Sequence, residues 1–151
     1  MIAVTPKHIA NRLAARYHTR DVFELAHALG YTVLFTPLAG LRGMYKNIHR
    51  CATIIINSNL DEHQQRLVCA HEIGHDQMHR GVNRIFLDRC THMTTAKYEN
   101  EAHKFSVDLL YTDDDLQDML EWPIEHVARF MGVPVWLAEY RMRSVEPKFL
   151  I

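Results

Sequence analysis

Two histidines four residues apart with a glutamate between them, His71-Glu72-Ile73-Gly74-His75, are the residues of this chain best suited to do chemistry. On a helix of about 3.6 residues per turn the two imidazoles stack on one face. That spacing lets two neutral rings reach one zinc ion at about 2.0–2.1 Å. Glu72 is rotated by about 100° from His71, so its carboxylate points past the metal, where it can take a proton from an attacking water. With 11 histidines in 151 residues, an accidental HExxH has a probability on the order of a few per cent. The pattern therefore takes its meaning from its surroundings.

A catalytic zinc takes three protein ligands and leaves one position open. The next helical stretch, from about Thr95 to Tyr111, offers Glu99 and Glu101. Ala102, Ser106, Leu109 and Leu110 share a face; Glu99 falls in its middle, whereas Glu101 points nearly opposite, into solvent. A carboxylate in an apolar stripe needs a partner; a buried salt bridge would serve, and a metal beside two histidines serves better, so Glu99 is the expected third ligand. His103, one turn on, shares that inward face as a hydrogen-bond partner of a ligand or as a ligand itself. His79 extends the row of His71 and His75, but eight residues rise about 12 Å, whereas two nitrogens on one zinc lie within about 4 Å of each other. It reads as a surface or substrate-cleft residue. Hydrolysis also needs a donor for the developing oxyanion; Tyr45, His49, His79 and Tyr98 are all chemically capable, and sequence alone does not choose among them.

These residues must be positioned by elements that the hydrophobic pattern outlines. A first helix spans 5–17, capped by Thr5 with Pro6 in its first turn, and a second runs from Asp21 to Leu29 and stops at Gly30. The period then changes. Tyr31–Phe35, Met44–Ile48 and Ala52–Ile56 read as short strands, separated by the Pro37, Gly40 and Gly43 punctuation, and together suggest a small antiparallel meander. The helix bearing His71 starts with Asn59 as N-cap and Glu62 as its capping-box partner. Its inward stripe is Leu60, Gln64, Leu67, Val68, His71, His75 and Met78. Gly74 in mid-helix costs about 1 kcal/mol relative to Ala, which suggests close approach by another backbone or by substrate. Residues 80–93 carry one candidate extended piece, Arg84–Leu87, and Asp113–Leu120 reads as a short acidic helix.

Composition bounds the rest. A chain of 151 residues, 48% hydrophobic and 23% charged, suits one domain with its own core. A formal charge of -1 offers no basic footprint for nucleic acid or anionic lipid. Cys51, Cys69 and Cys90 lack paired spacing, which fits a reducing compartment; Cys90-Thr91-His92 could ligate a metal only with a second Cys pair, which the chain does not have. Met1–Arg12 has no apolar leader core, and no run approaches the roughly 18 apolar residues of a bilayer span. A cytoplasmic location without membrane insertion is expected. In the C-terminal part, Ile124–Met131, Gly132-Val133-Pro134 and Trp136–Met142 form the local grammar of a helix-turn-helix. Its second helix has few base-reading groups, and Trp136, Leu137 and Tyr140 look like packing residues, so direct nucleic-acid binding is disfavoured. Phe149, Leu150 and Ile151 make an apolar tail that packs back or meets a partner.

Through most of its length the chain resembles the ImmA/IrrE family of zinc peptidases. The resemblance rests on Phe23-Glu24-Leu25-Ala26 with Ala28-Leu29-Gly30, Leu41-Arg42-Gly43, Ile56-Asn57-Ser58-Asn59-Leu60, Arg66 through His75, and Glu99-Asn100-Glu101-Ala102 with Phe105 and Leu109-Leu110. It implies a gluzincin-like metallopeptidase with His71 and His75 as zinc ligands, Glu72 as general base and Glu99 as third ligand, in agreement with the periodicity. It also implies a protein substrate, a helix-turn-helix repressor of a phage or mobile element cleaved once to release its genes. The chain departs from the family in having His103 where Asn is usual, and Tyr111-Thr112-Asp113 where a Pro often follows the Leu-Leu pair. The expected architecture is a single α+β zincin-like domain over residues 1–151, helices on a three-stranded antiparallel sheet, with the 123–142 helix pair part of the same domain. A metal-binding interaction module without turnover is the second reading, and a DNA-binding regulator the third.

Overall fold

The structure is a computed structural model that describes residues 4–79 and 92–148. The candidate extended piece Arg84–Leu87, Cys90-Thr91 and the Phe149–Ile151 tail lie outside the described residues. Helix α1 covers Pro6–Tyr17, and the Thr5 hydroxyl accepts the His8 N–H at its start. Helix α2 covers Val22–Ala28 behind Asp21, whose carboxylate accepts from the Phe23 and Glu24 amides. Gly30, at φ 87°, turns the chain out of α2 as the sequence predicts.

Strands β1 (Thr32–Thr36), β2 (Gly43–Ile48) and β3 (Cys51–Asn57) form one sheet in the order β1-β3-β2. Strand β2 pairs antiparallel with β3, but β1 pairs parallel with β3, Val33 opposite Ile54. The sheet is mixed, not the antiparallel meander that the strand spacing suggests. The physical reason lies in β3. Ile54 and Ile56 are fully buried, and the most apolar strand takes the centre, where both edges are paired. Residues 37–42 are long enough to carry the chain across it. Asn57, at the end of β3, secures that crossing: its side-chain amide donates to the Leu38 and Leu41 carbonyls at 3.0 and 2.9 Å.

Helix α3 (Glu62–Met78) is capped by Asp61, which accepts the Gln64 N–H at 2.8 Å. The expected cap, Asn59, sits two residues too early. Its own N–H donates to the Asn57 side chain, and Leu60 N–H bonds the Asn57 carbonyl, so residues 57–60 are spent in a turn. Helix α4 (His92–Leu110) packs along α3. The stretch expected as an acidic helix is instead a series of turns with a 3₁₀ segment at Gln117–Met119. Asp113 explains this, since its carboxylate is taken up by Lys7, Arg141 and the Glu146 amide. Helices α5 (Ile124–Met131) and α6 (Val135–Arg143) follow, joined through Gly132 at φ 68°. Among the described residues no helix is long and apolar enough to cross a membrane.

Two apolar clusters flank the α3–α4 pair. One joins α1, α2 and β3 to Val68, Cys69, Ile73, Phe105 and Leu109; the other joins Leu67 and Val107 to Leu116, Val127, Met131 and Leu137. The second is pinned by Arg141, 1% exposed, which donates to the Tyr111 carbonyl at 2.8 Å and to Asp113 at 2.7 Å, with Asp108 at 3.6 Å. Burial pushes the Asp108 carboxyl up to about 6, against the hydrogen bond from Tyr140 and the Arg141 charge. Trp136 departs from its expected packing role and is 40% exposed. Arg141→Met is expected to lower unfolding free energy by about 3–5 kcal/mol, because it leaves Asp108 and Asp113 without their buried partner. Tyr140→Phe should lower it by about 1–3 kcal/mol. Urea denaturation of the two variants beside the wild type measures both.

Candidate metal centre

The face of α3 turned toward α4 carries His71, His75 and His79, one per turn. Helix α4 brings Glu99 across them. Its Oε2 lies 3.1 Å from His71 Nε2 and its Oε1 lies 2.8 Å from His75 Nε2, while the two Nε2 atoms are 3.1 Å apart. Two imidazole nitrogens and a carboxylate aimed at one point make a donor cluster that can hold a cation. Donor atoms on a tetrahedral zinc stand about 3.3 Å apart, given bonds of about 2.0–2.1 Å, so this donor set fits zinc with little movement. The close polar contacts of the His71 ring and then the His75 ring hold the Glu99 carboxyl well below the usual carboxylate range, which keeps it anionic. Its side chain is 46% exposed at the rim of a cleft, not at the centre of an apolar face.

His103 presents a ring nitrogen such that it, a His71 nitrogen and a Glu99 oxygen all lie within 4.8 Å of one another. Its ring lies against His71 at 4.2 Å between centroids and meets Trp136 on the other side. Burial, followed by the neighbouring His71, pushes His103 down to about 4, so it is neutral at pH 7. The shorter mutual distances favour His71, His75 and Glu99 as the primary donor set, with His103 beside it.

His79 is buried, contrary to its expected surface or cleft position. Its Nδ1 is 3.3 Å from His75 Nδ1, its Nε2 is 3.0 Å from Glu101 Oε2, and its ring packs edge-on against Tyr98 at 4.5 Å. Burial lowers its pKa despite the hydrogen bond with Glu101. Glu101 is thus turned inward and not, as its helical position suggests, into solvent. Phe105 is fully buried and shifts the centre of the α4 stripe toward Glu101, so Glu99 and Glu101 flank the stripe on opposite sides and both reach α3. Of the four candidate oxyanion donors, Tyr45 packs against Tyr31, His49 sits in the β2–β3 turn at φ 49°, and His79 and Tyr98 pack on each other. None is among the residues that line the cleft.

The cleft has a volume of about 570 Å³, within the ordinary range for a binding site. Its floor is Leu67, Val68, His71 and Glu72 of α3 with Glu99, His103 and Ser106 of α4. One wall is the Gly40–Gly43 crossing that Asn57 secures, and the other is the Gly132-Val133-Pro134 turn with Leu137. Glu72 therefore opens onto the same space as the donor cluster, as the HExxH spacing predicts. The walls are what sequence reasoning missed. Gly40, Gly43 and the Gly-Val-Pro turn are visible as punctuation, but nothing local says that two turns about ninety residues apart face each other.

A family model for peptidases, described as the IrrE N-terminal-like domain, matches residues 26–143. The uncharacterised immunity region protein 2 of Bacillus phage phi105 is 35% identical over 138 residues, covering 89% of this chain and 87% of that protein. The metallopeptidase ImmA of Bacillus subtilis (strain 168) is 24% identical over 143 residues, covering 92% of this chain and 85% of that protein.

Gly74 explains how α3 and α4 come close enough for Glu99 to reach both histidines. A Cβ there would stand 2.8 Å from Phe105 Cδ1 and 3.1 Å from Phe105 Cβ. The close approach foreseen at Gly74 is thus made by a side chain of α4. Gly74→Ala is expected to destabilise the protein by about 1–3 kcal/mol of overpacking, offset in part by about 1 kcal/mol of helix propensity. Combining it with Phe105→Leu should recover part of the loss. Thermal unfolding of both single variants and the double variant gives the coupling.

Proposed function

Because the chain belongs to the peptidase family of IrrE N-terminal-like domains, we propose that it is a zinc-dependent regulatory protease hydrolysing a peptide bond in a protein substrate, a helix-turn-helix repressor of a phage or mobile element. The observation that carries this reading is the convergence of His71, His75 and Glu99, with His71 and Glu99 on the floor of a cleft that Glu72 also lines. The repressor as substrate is supported by the immunity region and the metallopeptidase for which the two relatives are named. The free thiols of Cys51 and Cys69 are consistent with a cytoplasmic setting. We assign the whole chain to one catalytic domain, with the α5–α6 pair forming a wall of the cleft.

His71, His75 and Glu99 would hold the zinc, which supplies Lewis acidity at the scissile carbonyl and lowers the pKa of the attacking water. Glu72 accepts the proton of that water on its carboxylate and delivers it to the leaving amine. The two cleft walls hold the substrate chain over the floor, so that the scissile bond is presented to Glu72 and not to bulk water. Arg42 and His103 line the cleft as donors available to the oxyanion.

His103 also supports a second reading. As a fourth protein ligand it would leave no open position, and the chain would then be a metal-binding interaction module without turnover. Glu72→Gln separates the two. For a protease, it retains one zinc per chain, captures the repressor from cells and cleaves it about 10²–10⁴-fold more slowly than wild type. Unchanged biological activity in Glu72→Gln would favour the module. Glu99→Ala should lose zinc on dialysis, measured as metal content. A wild-type protein that takes up no zinc from excess would remove both readings.

A further inference from the structure

The pairing of Glu101 with His79 and of His79 with His75 is used by nothing in the mechanism above, and we propose that it is a hydrogen-bonded relay that orients His75 for zinc. The inference rests on the zinc-site reading and goes beyond it, giving Glu101 and His79 the role of positioning residues. His75 turns its Nε2 toward Glu99 and His71, so that nitrogen must offer a lone pair to a metal, and the ring proton of the neutral imidazole sits on Nδ1. That Nδ1–H faces His79 Nδ1 at 3.3 Å, which must accept. His79 then carries its own proton on Nε2, which faces Glu101 Oε2 at 3.0 Å. An ionised carboxylate can only accept. Each donor meets one acceptor along the row, and any other placement of the two protons sets donor against donor or acceptor against acceptor.

The environment supports the same assignment. His79 is buried, its ring is held edge-on by Tyr98, and it lies at the end of α3, where one further turn carries the row past His75. His71 has no equivalent support: its Nδ1 is buried without a hydrogen-bond partner among the described residues. The two histidine ligands therefore differ. His75 is fixed in ring orientation and tautomer by two further residues, whereas His71 is held by packing against His103. Ligating histidines are ordinarily oriented by a carboxylate or carbonyl on the second ring nitrogen; here the carboxylate acts through an intervening imidazole.

The test is zinc affinity, by competition with a chelator on the full chain, for wild type, His79→Ala, His79→Asn and Glu101→Gln. Helical circular dichroism of the zinc-free forms checks folding. His79→Ala should weaken zinc binding about 10–100-fold. His79→Asn should recover most of that loss, because its side-chain oxygen can take the place of Nδ1 and accept from His75. Glu101→Gln, which keeps the acceptor but not the charge, should show a smaller loss. Equal losses in His79→Ala and His79→Asn, or unchanged affinity in His79→Ala with wild type binding one zinc, would overturn the relay and leave the metal site standing. If His79→Ala does not fold, His79→Asn and Glu101→Gln decide: wild-type affinity in Glu101→Gln together with a full loss in His79→Asn would count against it. Failure of the wild type to bind zinc would overturn the relay together with the site.

Discussion

The contact between Gly74 of α3 and the Phe105 ring of α4 sets the spacing on which the rest of the molecule depends. Carboxylate side chains have limited reach, and Glu99 touches both His71 and His75 only because the two helices approach without a Cβ between them. The same closeness lets Glu101 reach His79 from the other flank of α4. A helix-weakening residue is thus retained where interhelical distance matters more than propensity. On either side the two apolar clusters hold the pair in place, so burial energy is turned into the placement of the five polar side chains His71, His75, His79, Glu99 and Glu101.

Polar interactions do the corresponding work at the cleft walls. Asn57 ties the crossing between β1 and β2 through backbone carbonyls, and Arg141 ties α6 to the end of α4 through Tyr111, Asp113 and Asp108. Both are distant from the donor cluster, yet each fixes one wall. Gln64 links floor to wall, donating to the Gly132 carbonyl at 2.9 Å, and His63 meets the Met131 carbonyl at 2.6 Å. Such bonds between sequence-distant turns are directional, which apolar packing is not, and they give the cleft a defined width.

The histidine row joins the two scales. His71 lines the cleft, His75 follows one turn on, and His79 carries the row to the partly exposed Glu101 carboxylate. An excess of histidine, which at first weakens the significance of the motif, acquires a structural reason: neutral imidazole is the one side chain that can accept from a ligand and donate to a carboxylate in the same ring. His103, neutral through burial, adds a further ring of the same kind.

What the sequence determined by itself was local and periodic. The helix under His71 and His75, the acidic residue one helix later that meets them, the Thr5 cap, the stop at Gly30 and the Gly132 turn all follow from spacing over a few residues, because helical geometry repeats identically in every fold. The tertiary structure decided what depends on partners. Strand β3 entered the middle of the sheet because burial ranks the strands, which spacing cannot do. Asp61 displaced Asn59 as cap because Asn59 was engaged in a turn, and Asp113 abandoned a helix for Lys7 and Arg141. Glu101 and His79 turned inward because each found the other across two helices. The position of a side chain on its own helix is fixed by local chemistry, but whether that position meets water or a partner is settled only when another element arrives to cover it.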